Sequence, residues 1–191
     1  MNKKRIAAII AVAILLVGMK IFSDRIYFQR DSNLNQEEFY EYFHLQPVSE
    51  ESGLEEYFVN IIYDNPFALL FRHAPTYEQR YFWTVNENEI YMVALAACDS
   101  KNCYNVNHIG DNKNYDVVYT YDLTINGMDV YLEMVKMLYN NVVYDYRMSF
   151  EYKDKYYFIT LYGIDDPVYQ SHDGLNEYYH HLIVRLINEL F

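Results

Sequence analysis

Glycine is scarce, with six in 191 residues. So few cannot build a glycine-rich phosphate loop, and dinucleotide binding lacks the tight turns that let a backbone approach a pyrophosphate. No Gly-x-Ser-x-Gly occurs, and the few serines fall in loops or on the polar side of a strand. Basic residues are also short, 15 Lys and Arg against 27 Asp and Glu, for a net charge of −12. Four of those cations, Lys3, Lys4, Arg5 and Lys20, precede Ser23, so the remainder of the chain is more acidic still. Nucleic acids and anionic headgroups both call for basic patches, and nucleic-acid binding is therefore excluded.

Cysteine occurs twice, at Cys98 and Cys103. Two thiolates with only His108 near them are too few for a metal centre, which needs three or four converging ligands. A redox pair usually has two intervening residues, whereas Asp99-Ser100-Lys101-Asn102 makes four. In an oxidising compartment the pair reads as a disulfide closing a tight loop, worth about 2 kcal/mol by loop entropy. The six histidines offer no ligand set either. His73 and His172 are scattered, and adjacent His180 and His181 point about 100° apart on a helix. No metal or cofactor is expected. Acid pairs such as Asp165-Asp166 and Glu50-Glu51 are frequent by chance in so acidic a chain and do not mark a glycosidase.

What the chain does have is an apolar run. Ile6 to Met19 follows three basic residues and precedes Lys20, Ile21 and Phe22. With the Lys20 amine reaching outward, residues 6–22 make about 25 Å of helix, close to a bilayer core of about 30 Å. A signal peptide would need small residues at the end of the run. The only Ala-x-Ala, Ala11-Val12-Ala13, lies inside it. A cleaved signal and a buried helix are the alternatives to an uncleaved anchor in the lipid bilayer. The basic start favours a cytoplasmic N-terminus and a C-terminal domain outside the cell membrane, although Lys20, Arg25 and Arg30 oppose that vote. The organisation expected is an anchor over 1–22, a stalk over 23–33 and one α+β domain over 34–191.

Tyrosine is unusually abundant at 23, with 11 Phe. A β-rich core of Tyr rings and a row of exposed rings for stacking on sugars or peptides are both open readings. Asn35 with Glu38 forms a capping box for a first helix, with Leu34 and Phe39 placed as a hydrophobic staple. Ser52 with Glu55 suggests a second helix, because Leu54, Tyr57, Phe58, Ile61 and Ile62 recur at helical spacing. Pro66 suits the start of a third, carrying Phe67, Leu70 and Phe71, with a strand over Phe67 to His73 as alternative.

From Arg80 the pattern becomes β. Residues 81–85 and 90–95 read as a hairpin around Asn86-Glu87-Asn88. The polar stretch Cys98 to Asn114 is longer than a compact domain usually carries, and such loops are often functional. Its Asp99, His108, Asp111 and Asn112 are the candidate ligand-binding residues. Tyr115 to Ile125 alternates cleanly, and Asn126-Gly127 is a favoured hairpin turn. A strand from Met128 is expected, with a helix over 129–139 left open. Val142 to Tyr152 alternates again, and Tyr156 to Ile164 is apolar on both faces, as a mid-sheet strand is. A closing helix from about Leu175 to Leu190 buries Leu175, Tyr179, Leu182, Leu186 and Leu190, with Glu177, His181, Arg185 and Asn188 facing water. The expected architecture is α+β: short helices, then an antiparallel meander covered by the C-terminal helix. A cystatin-like cone with an internal pocket is the alternative.

Ile125-Asn126-Gly127 leading into a strand, Tyr146 to Tyr152, Tyr156 to Ile159 and the final amphipathic helix together resemble small uncharacterised domains. Those domains sit outside the membrane behind single anchors in Gram-positive-type bacteria. The resemblance covers roughly residues 115 to 190. It implies a location and a β-meander, and carries over no catalytic residue. The expected function is thus a non-enzymatic interaction domain in an envelope complex with a protein partner. A ligand- or glycan-binding domain with a Tyr-lined pocket is the second reading, and a hydrolase using the 98–114 loop the third.

Overall fold

A computed structural model describes residues 3–23, 28–31, 34–64, 74–100, 115–137, 143–164, 175 and 177–191. Helix α1 spans Lys3–Ser23. Its apolar side chains, Ile9, Ile10, Val12, Ile14, Leu15, Leu16 and Val17 among them, are exposed. Among the described residues no helix is long and apolar enough to cross a membrane.

Eight antiparallel strands then form one sheet: β1 (Phe28–Asp31), β2 (Leu54–Asp64), β3 (Thr76–Asn86), β4 (Glu89–Cys98), β5 (Tyr115–Ile125), β6 (Met128–Met137), β7 (Val143–Tyr152) and β8 (Lys155–Ile164). Their order is β1-β2-β3-β4-β8-β7-β6-β5. The expected four-strand meander is present, and β8 lies mid-sheet between β4 and β7, as its two apolar faces require. Short β1, in the segment read as a stalk, pairs with β2.

Several expectations hold at the level of local chemistry. Helix α2 (Gln36–Tyr42) carries the Asn35–Glu38 capping box in both directions. At the β5–β6 turn Asn126 and Gly127 take φ of 52° and 78°, the left-handed pair that suits the twist of a hairpin. The open question at 129–139 resolves as strand β6. Helix α3 (Glu177–Leu190) buries Tyr179, Leu182, Leu186 and Leu190, together with Ile183 and Ile187.

Other expectations are corrected. Residues 54–62 are strand β2, not a helix. Gly53 has φ 74°, and a Cβ built there would lie 2.2 Å from the Thr84 carbonyl oxygen, so the chain is bent hard against β3 at that point. Ser52 does not cap a helix. Its Oγ accepts from Leu54 N–H and donates to the Ser49 carbonyl. Register shifts between Glu56 and Phe58 and between Phe58 and Ile61 break the two-residue alternation, which leaves apolar spacings that imitate a helix. Arg185 is the other correction: rather than facing water, it folds back over β3, stacking on Trp83. The third helix proposed from Pro66, and the alternative strand there, lie outside the described residues.

One face of the sheet carries the core. Phe39, Phe43, Leu54, Tyr81, Trp83, Val93, Leu95, Leu132, Met134, Tyr146, Met148, Tyr157, Ile159 and Leu161 pack with the buried stripe of α3. Much of the Tyr content is therefore core, each ring burying a large area while its hydroxyl seeks a partner. Tyr157 Oη donates to the Phe43 carbonyl at 2.5 Å, and Gln46 N–H donates to the Leu190 carbonyl at 2.9 Å. These two bonds tie the end of α2 to the sheet and to the last turn of α3.

Candidate functional site

The face opposite the core is where the structure departs from simple amphipathicity. Strand positions there should be solvated, yet Glu78, Asp145, Arg147 and Thr160 are all buried. The register sets two of them, Thr160 and Arg147, side by side. Arg80 pairs with Ala94, Ala94 with Thr160, Thr160 with Arg147 and Arg147 with Glu133, a single lateral row across β3, β4, β8, β7 and β6. Ile61, Tyr63, Ala96 and Phe158 form a small apolar cluster on the same face.

Two acid-x-Arg triplets, Glu78-Gln79-Arg80 on β3 and Asp145-Tyr146-Arg147 on β7, each place an acid and a guanidinium on this face by strand alternation. They are satisfied differently. Arg80 Nε donates to Glu78 Oε1 within the first triplet. Tyr63 hydrogen-bonds the same carboxylate; burial and then the Glu78 charge push its phenol well above its ordinary range. In the second triplet the carboxylate is used elsewhere. A register shift between Tyr144 and Tyr146 leaves Gly163 with φ 77°. The Gly163 N–H donates to Asp145 Oδ1 at 3.1 Å. Burial raises the Asp145 pKa, opposed in part by that N–H and by the Arg147 charge.

Arg147 is left with a ring on one side and no acceptor on its edge. Its guanidinium carbon lies 4.2 Å from the Tyr115 ring centroid, a stacked cation–π contact. Its Nε and Nη1 are buried with no hydrogen-bond partner among the described residues. Next to it on the same face, Ser149, Glu151, Tyr156 and Phe158 line an open groove of about 310 Å³.

Of the four candidate ligand-binding residues, only Asp99 is described. Tyr42 Oη donates to its Oδ2 at 2.7 Å, its Oδ1 pairs with Lys155, and the Lys155 amine sits 3.8 Å from the Tyr42 ring centroid. Asp99 thus joins α2 to the start of β8, on a different surface from the buried row. His108, Asp111 and Asn112 lie outside the described residues, as does Cys103. Cys98 is fully buried at the end of β4. Exposed His181 is 3.7 Å from Glu177, one helical turn away. Among the described residues no group of three or more His, Cys, Asp or Glu side chains could hold a metal ion.

Sequence reading missed Arg147 and Asp145 because strict alternation put them on a face presumed wet. The signal was present one strand away. Phe158, Thr160 and Tyr162 make the same face of β8 poor in charge, so charges beside them on β7 were due to be covered as well.

No family model, curated protein or solved structure matches this chain.

Proposed function

We propose that this chain is a membrane-anchored domain outside the cytoplasm that acts by binding, as one component of an envelope complex. The observation that carries the reading is the set of buried polar side chains, Glu78, Asp145, Arg147 and Thr160, on the sheet face away from the core. Burying charges there costs free energy that folding alone does not recover, since apolar residues of similar volume would serve stability as well or better. Binding surfaces are where such groups have a use. The resemblance of residues 115–190 to single-anchor extracytoplasmic domains supports the location. So does the run 6–22, whose length suits a bilayer and whose described apolar side chains are exposed.

The compartment also supports a Cys98–Cys103 disulfide, as does the lack of any free cysteine among the described residues. Labelling of thiols in the denatured protein, with and without reductant, tests the staple. Label taken up without reductant removes it.

The binding role is tested by a photo-crosslinking residue at Ser149, in the groove, against one at Asn88, in the exposed β3–β4 turn. In intact cells at native expression, Ser149 is expected to capture a specific envelope protein that Asn88 does not. Equal capture at both positions, or none, refutes it. A second reading is a small-ligand site in the groove lined by Ser149, Glu151, Tyr156 and Phe158 on the same face.

A further inference from the structure

Helix α2 packs Phe39 and Phe43 into the core, so it lies on the opposite side of the sheet from Ser149. His44 takes a left-handed φ of 53°, and the Leu45 N–H donates back to the Tyr40 carbonyl at 2.9 Å. The chain thereby turns sharply off the end of α2, and a groove of about 560 Å³ opens between the helix and residues 45–48. Buried Tyr40 and Leu45 form its floor, Pro47 and half-buried Val48 an apolar wall, and exposed Glu37 and Glu41 its rim.

The neutral donors that border this groove are already engaged. Gln36 Nε2 and Tyr40 Oη both donate to Glu56, and Tyr40 Oη lies 3.2 Å from Tyr81 Oη. What the groove still offers is apolar surface and two carboxylates. Neither Glu37 nor Glu41 has a hydrogen-bond or ion-pair partner among the described residues. Their placement also works against the helix. Acids one turn apart repel, and Glu41 stands in the last turn, where helix carbonyls favour a cation and α2 carries none. On α3, by contrast, Glu177 and Glu189 each meet a basic side chain one turn away, His181 and Arg185. Two carboxylates are too few for a bare metal ion, which leaves an organic cation with an apolar stem.

We infer that this groove docks a lysine side chain carried on an exposed segment of a partner protein, its ammonium between Glu37 and Glu41 and its methylenes against Leu45, Pro47 and Val48. The inference goes beyond the binding reading above, since it concerns the other side of the sheet. Charge complementarity selects the partner: a chain of net charge −12 draws a basic segment and repels a second copy of itself. Exposed ion pairs alone contribute little, so contact between the stem and the apolar wall has to share the work. Lysine suits the rim better than arginine. A compact ammonium with three rotatable donors can serve two carboxylates on successive turns, whereas a planar fork matches one.

The test uses the full chain, labelled with ¹⁵N, in uncharged detergent micelles. It follows the amides of Glu41, Leu45 and Val48, with Ser149 as the reference across the sheet. Four probes are titrated: blocked Gly-Lys-Gly, the same peptide with norleucine or arginine in place of lysine, and n-butylamine. Saturable shifts at the three groove amides are expected with the lysine peptide, while Ser149 stays still. Norleucine, which keeps the stem and loses the charge, should bind at least about tenfold more weakly. Arginine and n-butylamine should each bind more weakly than lysine. Glu37→Gln and Glu41→Gln should each weaken lysine binding several-fold, and together abolish it.

Indifference to the lysine peptide, equal response to lysine and norleucine, or an equal shift at Ser149 overturns the inference. So does lysine binding that survives the double change. Arginine binding as tightly as lysine removes the proposed two-carboxylate seat, and n-butylamine binding as tightly reassigns the groove to a free amine. Both acids are exposed, and removing their repulsion should hold or raise the thermal midpoint. A lowered midpoint would show that they serve the fold, which also overturns the inference. Crosslinking at Ser149 reports on the opposite face, so failure there leaves the lysine groove standing, and failure here leaves the Ser149 reading standing.

Discussion

Arg185 lies over Trp83, its guanidinium carbon 5.5 Å from the indole centroid, and both side chains donate to one acceptor, the Ser52 carbonyl. The indole Nε1 reaches it at 3.1 Å and Arg185 Nη2 at 3.3 Å, while Nη1 reaches the Val85 carbonyl at 3.4 Å. A residue of the last helix thereby pins the irregular turn Glu50–Ser52 and the end of β3 through a single stack. Arg185→Ala should lower stability by roughly 1–2 kcal/mol in urea unfolding, and Arg185→Lys should recover less than half of that. Full recovery by Lys would show that charge rather than the planar fork matters.

Gly53 is the tightest point on the same turn. An alanine there would need a left-handed backbone and would drive its Cβ into the Thr84 carbonyl oxygen, which is rigid backbone rather than a yielding side chain. The Thr84 N–H also donates to the Gly53 carbonyl at 2.8 Å, so neither strand can move away without losing that bond. Gly53→Ala is expected to cost roughly 2–4 kcal/mol in denaturant unfolding. The same change at Gly127, where a Cβ meets nothing, should cost only the backbone penalty of about 1 kcal/mol.

Asp145 predicts a pH slope. Burial raises its folded pKa above the unfolded value, so the folded state holds the proton more tightly. Stability from this group is complete below the unfolded carboxylate range and is lost as pH rises through the folded pKa. Asp145→Asn should flatten the fall in stability as pH rises from about 4. Thermal unfolding of both proteins from about pH 4 to about pH 7 measures this. Parallel curves would mean that the carboxylate is effectively solvated.

The buried phenols act in the same sense at alkaline pH. Tyr81 is raised by burial and then by the neighbouring Tyr40, and Tyr40 by burial and then by its hydrogen bond to Glu56. Their contribution is intact below about 10, where free phenols titrate, and is lost as pH climbs beyond it. Ultraviolet titration should therefore show one smooth phase from exposed rings, followed by a steep step that coincides with loss of β-sheet circular dichroism. A single smooth phase with the sheet intact would contradict the burial of these rings.

At Asp99 the expectation is modest. Its bonds to Tyr42 and Lys155 are partly exposed, and such pairs contribute about 1 kcal/mol or less. Asp99→Asn should shift the urea midpoint slightly and leave crosslinking at the Ser149 groove unchanged. A loss of binding there would return Asp99 to the candidate site.

How much could be read in advance varied with the range of the interactions. The capping box at Asn35, the Asn126-Gly127 turn and the alternation of Tyr119 to Ile125 are decided by neighbours a few residues apart, and the structure agrees with each, whereas a register shift between Val117 and Tyr119 turns Tyr115 and Val117 to the other face. Strand β2 misled because its register shifts are imposed by pairing with β3, and no local pattern reports a bulge that a partner strand creates. Arg185 misled for a related reason. Helical spacing gives the direction of a side chain, but not that an indole face and two backbone carbonyls await it at the helix flank.

The amino-acid order alone settled the acidic charge, the lack of any phosphate-loop or nucleophile motif, the Asn126-Gly127 turn and the apolar stripe of the last helix. Each follows from composition, from turn chemistry or from a period of about 3.6 residues. Only the tertiary structure decided that β8 inserts between β4 and β7, which brings Arg80, Thr160 and Arg147 into one row from three distant stretches of chain. Alternation assigns a face; whether that face is wet depends on what the rest of the chain lays across it. That is why an acid and an arginine two residues apart are held together on β3 and kept apart on β7.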